Sequence, residues 1–190
     1  MKKLLLIALL SLPLFAGNME VQEGFVAAHT QMPLDSTIDP FNNTLHGDLN
    51  MQGNDLTSIK GKLWVEMNLF FSDEADRDVH MNETDEANSF PLATYEIVSI
   101  SKNDKASDYT LHGNLNFHGQ KRAFSATADI TQDQDNVTIK ATSHFLMSEY
   151  GVEVPCMMFM CVRDQIDIFA KAVLHKSSSQ HLAFNTSGTK

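Results

Sequence analysis

Positive charge, cysteine and tryptophan are scarce in this sequence, and each scarcity removes a class of function. Lys and Arg together number 14 against 24 Asp and Glu, a formal net charge of −10. A chain this acidic repels phosphate backbones and anionic lipid surfaces, so nucleic acid is not expected as a partner. Two Cys among 190 residues cannot build a disulfide scaffold. With 5 Pro and 9 Gly the chain is neither a low-complexity nor a collagenous sequence. No apolar run after the N-terminal segment is long enough for the roughly 30 Å hydrocarbon core of a bilayer. What remains is 43% hydrophobic and 20% charged, enough apolar side chain for one globular core.

The N-terminal segment reads as a secretory signal. Lys2 and Lys3 precede an apolar stretch from Leu4 to Leu12, broken only by Ser11, and Ala16 supplies a small residue before the cut. The expected organisation is a signal peptide over residues 1–16, a β-barrel over 17–175 and a polar, Ser-rich tail over 176–190. Cleavage would remove two lysines and no acid, taking the charge from −10 to −12. No Cys follows the apolar stretch to mark a lipoprotein, and no later segment is apolar enough to cross a membrane, so the mature protein is expected to be soluble and delivered to an exported compartment. That compartment permits a bond between Cys156 and Cys161; the sequence leaves a local disulfide and two free thiols equally open.

The rest alternates with period two, the pattern of strands with one wet and one dry face. Gly24 to Gln31 and Thr44 to Met51 begin the series. Ile59 to Phe71 is the longest candidate, with Ile59, Leu63, Val65, Met67 and Leu69 on one face. Thr94 to Ser101 follows. Asp108 to His118 alternates most regularly, with Tyr109, Leu111, Leu115 and Phe117 in phase. Lys121 to Thr131, Asn136 to Leu146 and Val162 to Leu174 complete eight. Short polar connectors at Lys102 to Ser107, His118 to Gln120 and Gln132 to Asp135 predict hairpins. Eight such strands predict an all-β antiparallel barrel or sandwich, and an eight-stranded barrel has the advantage that closure removes exposed edges. Ser72 to Phe90 is the exception: Ser72 reads as an N-cap, Asp73, Glu74 and Asp76 suit a helix N-terminus, and Pro91 ends the segment. One or two short helices are expected there, between strands three and four.

Four stretches, in order, resemble the YceI-like family of periplasmic, lipocalin-like polyisoprenoid-binding proteins. They are Arg77-Asp78-Val79-His80-Met81, Phe90-Pro91-Leu92-Ala93-Thr94-Tyr95, the hairpin Leu111 to Lys121, and Ser148-Glu149-Tyr150-Gly151-Val152. The opening strand around Phe25 to Thr30 departs from the family pattern, Met147 stands where Arg is common, and the Cys156 to Cys161 stretch is unusual. The resemblance implies a lipocalin-like barrel with a hydrophobic tunnel for an isoprenoid, quinone or fatty-acid-like molecule.

Alternation alone makes Leu63, Val65, Met67, Tyr95, Leu111, Leu115, Phe117, Ile139, Ile166 and Ile168 ordinary core; the resemblance makes them tunnel lining. Met157, Met158 and Phe159 belong to an apolar run whose adaptable side chains suit a tunnel mouth. Arg77 and His80 are candidates for contact with a polar head group. The acidic residues Asp73, Glu74, Asp76, Asp78, Glu83, Asp85 and Glu86 lack the order and the Gly of a calcium loop and read as a solvated helix face. No nucleophile elbow, phosphate loop or zinc motif is present, and His112 and His118 lie roughly 20 Å apart along a strand. The expectation is a binding protein without catalytic residues, resident cofactor or metal, whose partner is a hydrophobic small molecule or lipid; a homodimer stays open. The rival reading is a periplasmic redox, metal or haem-handling accessory using Cys156, Cys161 and the surrounding methionines.

Overall fold

A computed structural model describes residues 16–32, 36–104, 108–158 and 160–177. The expected leader up to residue 15, the tail from residue 178, part of the Lys102 to Ser107 connector, Phe159 and the side chain of Met157 lie outside the described residues.

The strands are β1 (Ala16–Met32), β2 (Ser36–Ile38), β3 (Phe41–Asn42), β4 (His46–Gln52), β5 (Lys60–Glu66), β6 (Leu92–Lys102), β7 (Asp108–Phe117), β8 (Gln120–Asp133), β9 (Asn136–Leu146), β10 (Cys156–Met157), β11 (Met160–Cys161) and β12 (Gln165–Lys176). One helix, α1 (Ala75–Thr84), lies between β5 and β6. The large sheet runs β12-β9-β8-β7-β6-β5-β4-β1, and β1 pairs with β12 to close it. Every pairing is antiparallel. The result is a closed eight-stranded barrel without the unpaired edges that invite aggregation.

Closure depends on β1, which is twice as long as its sequence pattern suggested. Its first half, Ala16 to Glu20, pairs with β4, while Met19 to His29 pairs with β12. Ala16, assigned above to the leader, therefore stands opposite Gln52 in the sheet. At the far end of β1, the hydroxyl of buried Thr30 reaches the carbonyls of Arg163 and Gln165, each at 3.0 Å. It ties β1 to the start of β12, which begins at Gln165 instead of Val162.

The long third strand ends earlier than its alternation implied. β5 stops at Glu66, and Met67–Leu69 form a turn of 3-10 helix. Pro91, just before β6, has no N–H to extend the ladder, and its carbonyl instead accepts from Met67 N–H at 2.9 Å. The Glu66 carbonyl accepts from the fully buried Asn42 side chain at 2.9 Å. Leu69 consequently leaves the inner face and is 40% exposed. The helix start also differs. Glu74 is the N-cap, and the Ser72 hydroxyl accepts from Glu74 N–H in a turn ahead of it. The Ser72 N–H donates to the Asp78 carboxylate at 2.7 Å.

Between β7 and β8 the chain turns through His118 and Gly119, both with positive φ, the geometry that matches hairpin twist. At Gly119 a Cβ would lie 2.7 Å from the Phe90 ring, so only Gly lets the segment after α1 pack on this turn.

The two ends of the barrel are filled differently. Met19, Met51, Ile59, Ile130, Val137 and Leu174 meet at one end and are 0–2% exposed. They come from strands entering or leaving that end on all sides, so it is solid. At the other end lie α1 and the segment from Met147 to Asp164, including the β10–β11 hairpin.

Candidate functional site

The inward positions near the second end do not meet in the middle. They enclose a cavity of about 790 Å³, within the usual range for sites that bury a drug-sized ligand. Leu63 and Val65 from β5, with Met67 just beyond, form one wall. Tyr95 on β6 and Leu111, Leu115 and Phe117 on β7 continue it, followed by Ile139 on β9 and Ile166 and Ile168 on β12. The structure thus gathers all ten of the inward residues named from sequence around one space. Ala126, Ala141, Ala170 and Ala172 also face it; their small side chains are why the barrel is hollow here and not at the closed end.

Aromatic rings stiffen the wall. Tyr95 and Phe124 meet edge to face with centroids 5.5 Å apart, and Phe117, Phe145 and Tyr150 form a triangle with separations of 5.2–5.7 Å. Burial pushes the Tyr95 hydroxyl up to about 12, so the phenol stays neutral at any physiological pH.

The mouth is built from α1 on one side and the β10–β11 hairpin on the other. Arg77 lies at the rim, where its partners are Asp73 at 3.2 Å and Glu74 at 3.6 Å. His80 also reaches the rim, with its side chain 79% exposed and Nδ1 3.6 Å from Glu83. In the hairpin, Cys156 and Cys161 are directly opposed and form a disulfide. Pro155, Cys156, Met160 and Val162 line the mouth. Met158 does not: it occupies the left-handed turn position at the hairpin tip, with φ 57, and is 86% exposed. The proposed roles of Met157 and Phe159 fall outside the described residues.

Asp85, like Met158, was misread from sequence. It is not part of a solvated face but lines the cavity, and burial raises its carboxyl to about 6, partly offset by His118. Among the described residues no group hydrogen-bonds its side chain. The signal was available: Asp85 follows Met81 by four positions, which puts them on one helical face, and Met81 also lines the cavity. His118 sits beside this segment with its ring centroid 4.4 Å from that of Phe90. Its Nδ1 donates to the Tyr150 carbonyl at 3.1 Å, while Nε2 stands 3.8 Å from Glu86 without a hydrogen bond. Among the described residues no three His, Cys, Asp or Glu side chains are placed to hold a metal ion, and no helix is long and apolar enough to cross a membrane.

The same architecture recurs in solved structures. BcnA of Burkholderia cenocepacia superposes with a TM-score of 0.69 at 14% identity, over 79% of this chain and 95% of its own. A polyisoprenoid-binding domain from Saccharophagus degradans, implicated in plant cell wall breakdown, gives 0.65 at 9% identity, over 84% and 98%. The YceI protein of Campylobacter jejuni gives 0.57 at 13%, over 71% and 82%. At these identities the likeness establishes the fold alone. Among curated proteins no sequence matches. The YceI-like domain model, however, matches residues 18–174, from the first strand of the barrel to the last, and the chain therefore belongs to the YceI-like family.

Proposed function

We propose that this protein is a periplasmic carrier that holds a long apolar molecule, a polyisoprenoid, an isoprenoid quinone or a fatty-acid-like lipid, inside its barrel and performs no covalent chemistry on it. The observation that carries the reading is the cavity of about 790 Å³, walled by aliphatic and aromatic side chains, against one end of a barrel whose other end is solid. Burying about ten methylenes at roughly 0.8 kcal/mol each contributes about 8 kcal/mol before association costs. A polyprenyl tail can therefore be held without a strong head-group contact. Membership of the YceI-like family and the fold shared with the polyisoprenoid-binding domain of Saccharophagus degradans support the same class of ligand.

The mouth favours a head group without negative charge. Glu74, Asp76 and Asp85 line it, and Arg77 is already engaged by two carboxylates. A diphosphate would enter against that field. Native mass spectrometry of protein purified from its own host is expected to show a neutral lipid adduct lost on organic extraction. A diphosphate adduct would overturn the head-group assignment, and a homogeneous apo mass would count against the carrier reading.

A redox reading draws on one observation, the Cys156–Cys161 bond at the cavity mouth. Two electrons and two protons from a dithiol would open it. Replacing both Cys by Ser is expected to leave lipid retention unchanged; loss of function in that variant would favour the redox role. The same bond occupies both thiolates and so works against a soft-metal site.

A further inference from the structure

We propose that Asp85 is the polar anchor of the cavity and selects ligands whose head donates hydrogen bonds, as a hydroxyl, an amide or an ammonium does, against ligands with an anionic head. The inference rests on the carrier reading and deepens it.

The argument is one of pairing. The basic side chains that line the cavity, and His118 beside it, each already face a carboxylate. Arg77 has Asp73 and Glu74; His80 has Glu83 at 3.6 Å; His29, on β1, has Asp39 at 2.5 Å; His118 has Glu86 at 3.8 Å. Glu74 is answered by Arg77, and Asp76 sits in the first turn of α1, where the helix dipole favours its charge. Asp85 has neither advantage. It follows the last turn of α1, where the dipole is unfavourable to an anion. Among the described residues its side chain has no hydrogen-bond partner, and the one influence that opposes its burial comes from the neighbouring His118. A half-buried carboxylate without a protein donor costs more than one in open solvent. A ligand head that supplies N–H or O–H completes it; a carboxylate or phosphate head adds repulsion. The cavity brings the ligand to this group: Met81, one turn earlier on the same helix face, lines the same space, as does Tyr95 on β6.

The test uses the full-length mature protein and dodecyl probes with four heads: amine, hydroxyl, sulfonate, and none (dodecane). Each is titrated against a bound fluorescent apolar probe. Wild type at pH 7.5 is expected to prefer the amine and the alcohol over the sulfonate by about tenfold, the size of one charge interaction near a surface. Asp85→Asn, which keeps the shape and removes the charge, is expected to compress the amine-to-sulfonate ratio several-fold, each affinity being referred to that of dodecane for the same variant. Lowering the pH to 5 should compress the ratio in wild type. Both the amine and the sulfonate keep their charge over that range. The remaining change in Asp85→Asn measures protonation of His29, His80 and His118, together with any contribution from Glu74, Asp76 and Glu86, and should be smaller. An unchanged ratio in Asp85→Asn, or a wild type that binds the sulfonate as tightly as the amine, would overturn the assignment while leaving the carrier reading intact. Failure of all four probes, dodecane included, to displace the fluorophore would overturn both.

Discussion

At the scale of single residues, Asp85 carries a cost that pH should reveal. Its carboxyl is raised from 3.8 to about 6 by burial, so the folded state binds a proton more tightly than the unfolded state. Stability from this group is intact below pH 4, falls as pH rises through the interval between 4 and 6, and stays reduced above it. One pKa unit corresponds to about 1.4 kcal/mol; because Asp85 is only half-buried, the cost at pH 7.5 is discounted to about 1–2 kcal/mol. Urea unfolding of Asp85→Asn should show a gain of that size at pH 7.5 and none at pH 4. A gain that is the same at both pH values would mean that packing, not charge, is responsible. A binding role would account for a destabilising carboxylate beside an apolar cavity. Cys156 and Cys161 represent the opposite case. Their bond closes a loop of only five positions, which removes little freedom from the unfolded chain. The double Ser variant should lose no more than about 2 kcal/mol in the same experiment, with the barrel's circular dichroism unchanged. Global unfolding would show that the hairpin is structurally essential.

At the scale of elements, the sequence was most legible where one face is buried and the other wet. β9 runs from Asn136 to Leu146 as its alternation indicated, and Phe124, Ala126, Ala128 and Ile130 share a face on β8 as expected. Other elements were not legible, for physical reasons. β1 carries a register shift between Val21 and Glu23, so its inward parity passes from Met19 to Val26, Ala28 and Thr30 and no single clean alternation survives in Met19 to Met32. β5 ends because its partner strand begins after a proline, a fact about Pro91 and not about Met67 or Leu69. Two-residue strands such as β3 and β10 carry no period to read. The candidate site divides in the same way. Its aliphatic wall follows from strand parity, whereas hollow and solid regions of a barrel have the same parity and differ only in side-chain size across strands. Asp85 was hidden because it stands in a run of acids that are mostly exposed, and only its spacing from Met81 separates it from them.

At the scale of the whole molecule, the barrel divides into a structural half and a binding half, and substitutions should respect that division. At the closed end Leu174 is fully buried. Leu174→Ala opens a void among side chains that cannot collapse and should cost about 2–5 kcal/mol, visible as a lower urea midpoint at unchanged slope. In the hollow half, Ala141 and Ala170 face free space on neighbouring strands β9 and β12 and oppose one another in register. Enlarging either to Leu fills empty volume instead of overpacking a core. Ala170→Leu or Ala141→Leu should therefore change stability by less than about 1 kcal/mol, or raise it, since the added methylenes are buried at roughly 0.8 kcal/mol each. The same variants should weaken binding of an apolar fluorophore, most for the longest chains, because the space they occupy belongs to the ligand. Equal losses of stability at Leu174 and Ala170, or a filled cavity that still takes up the probe with full affinity, would mean that the two halves do not differ in the way their side-chain volumes imply. The division also explains why function and folding need not compete here. Ladder hydrogen bonds close the ring of strands along their length, and one end supplies the packed core. The other end can then remain hollow without leaving the chain short of buried apolar surface.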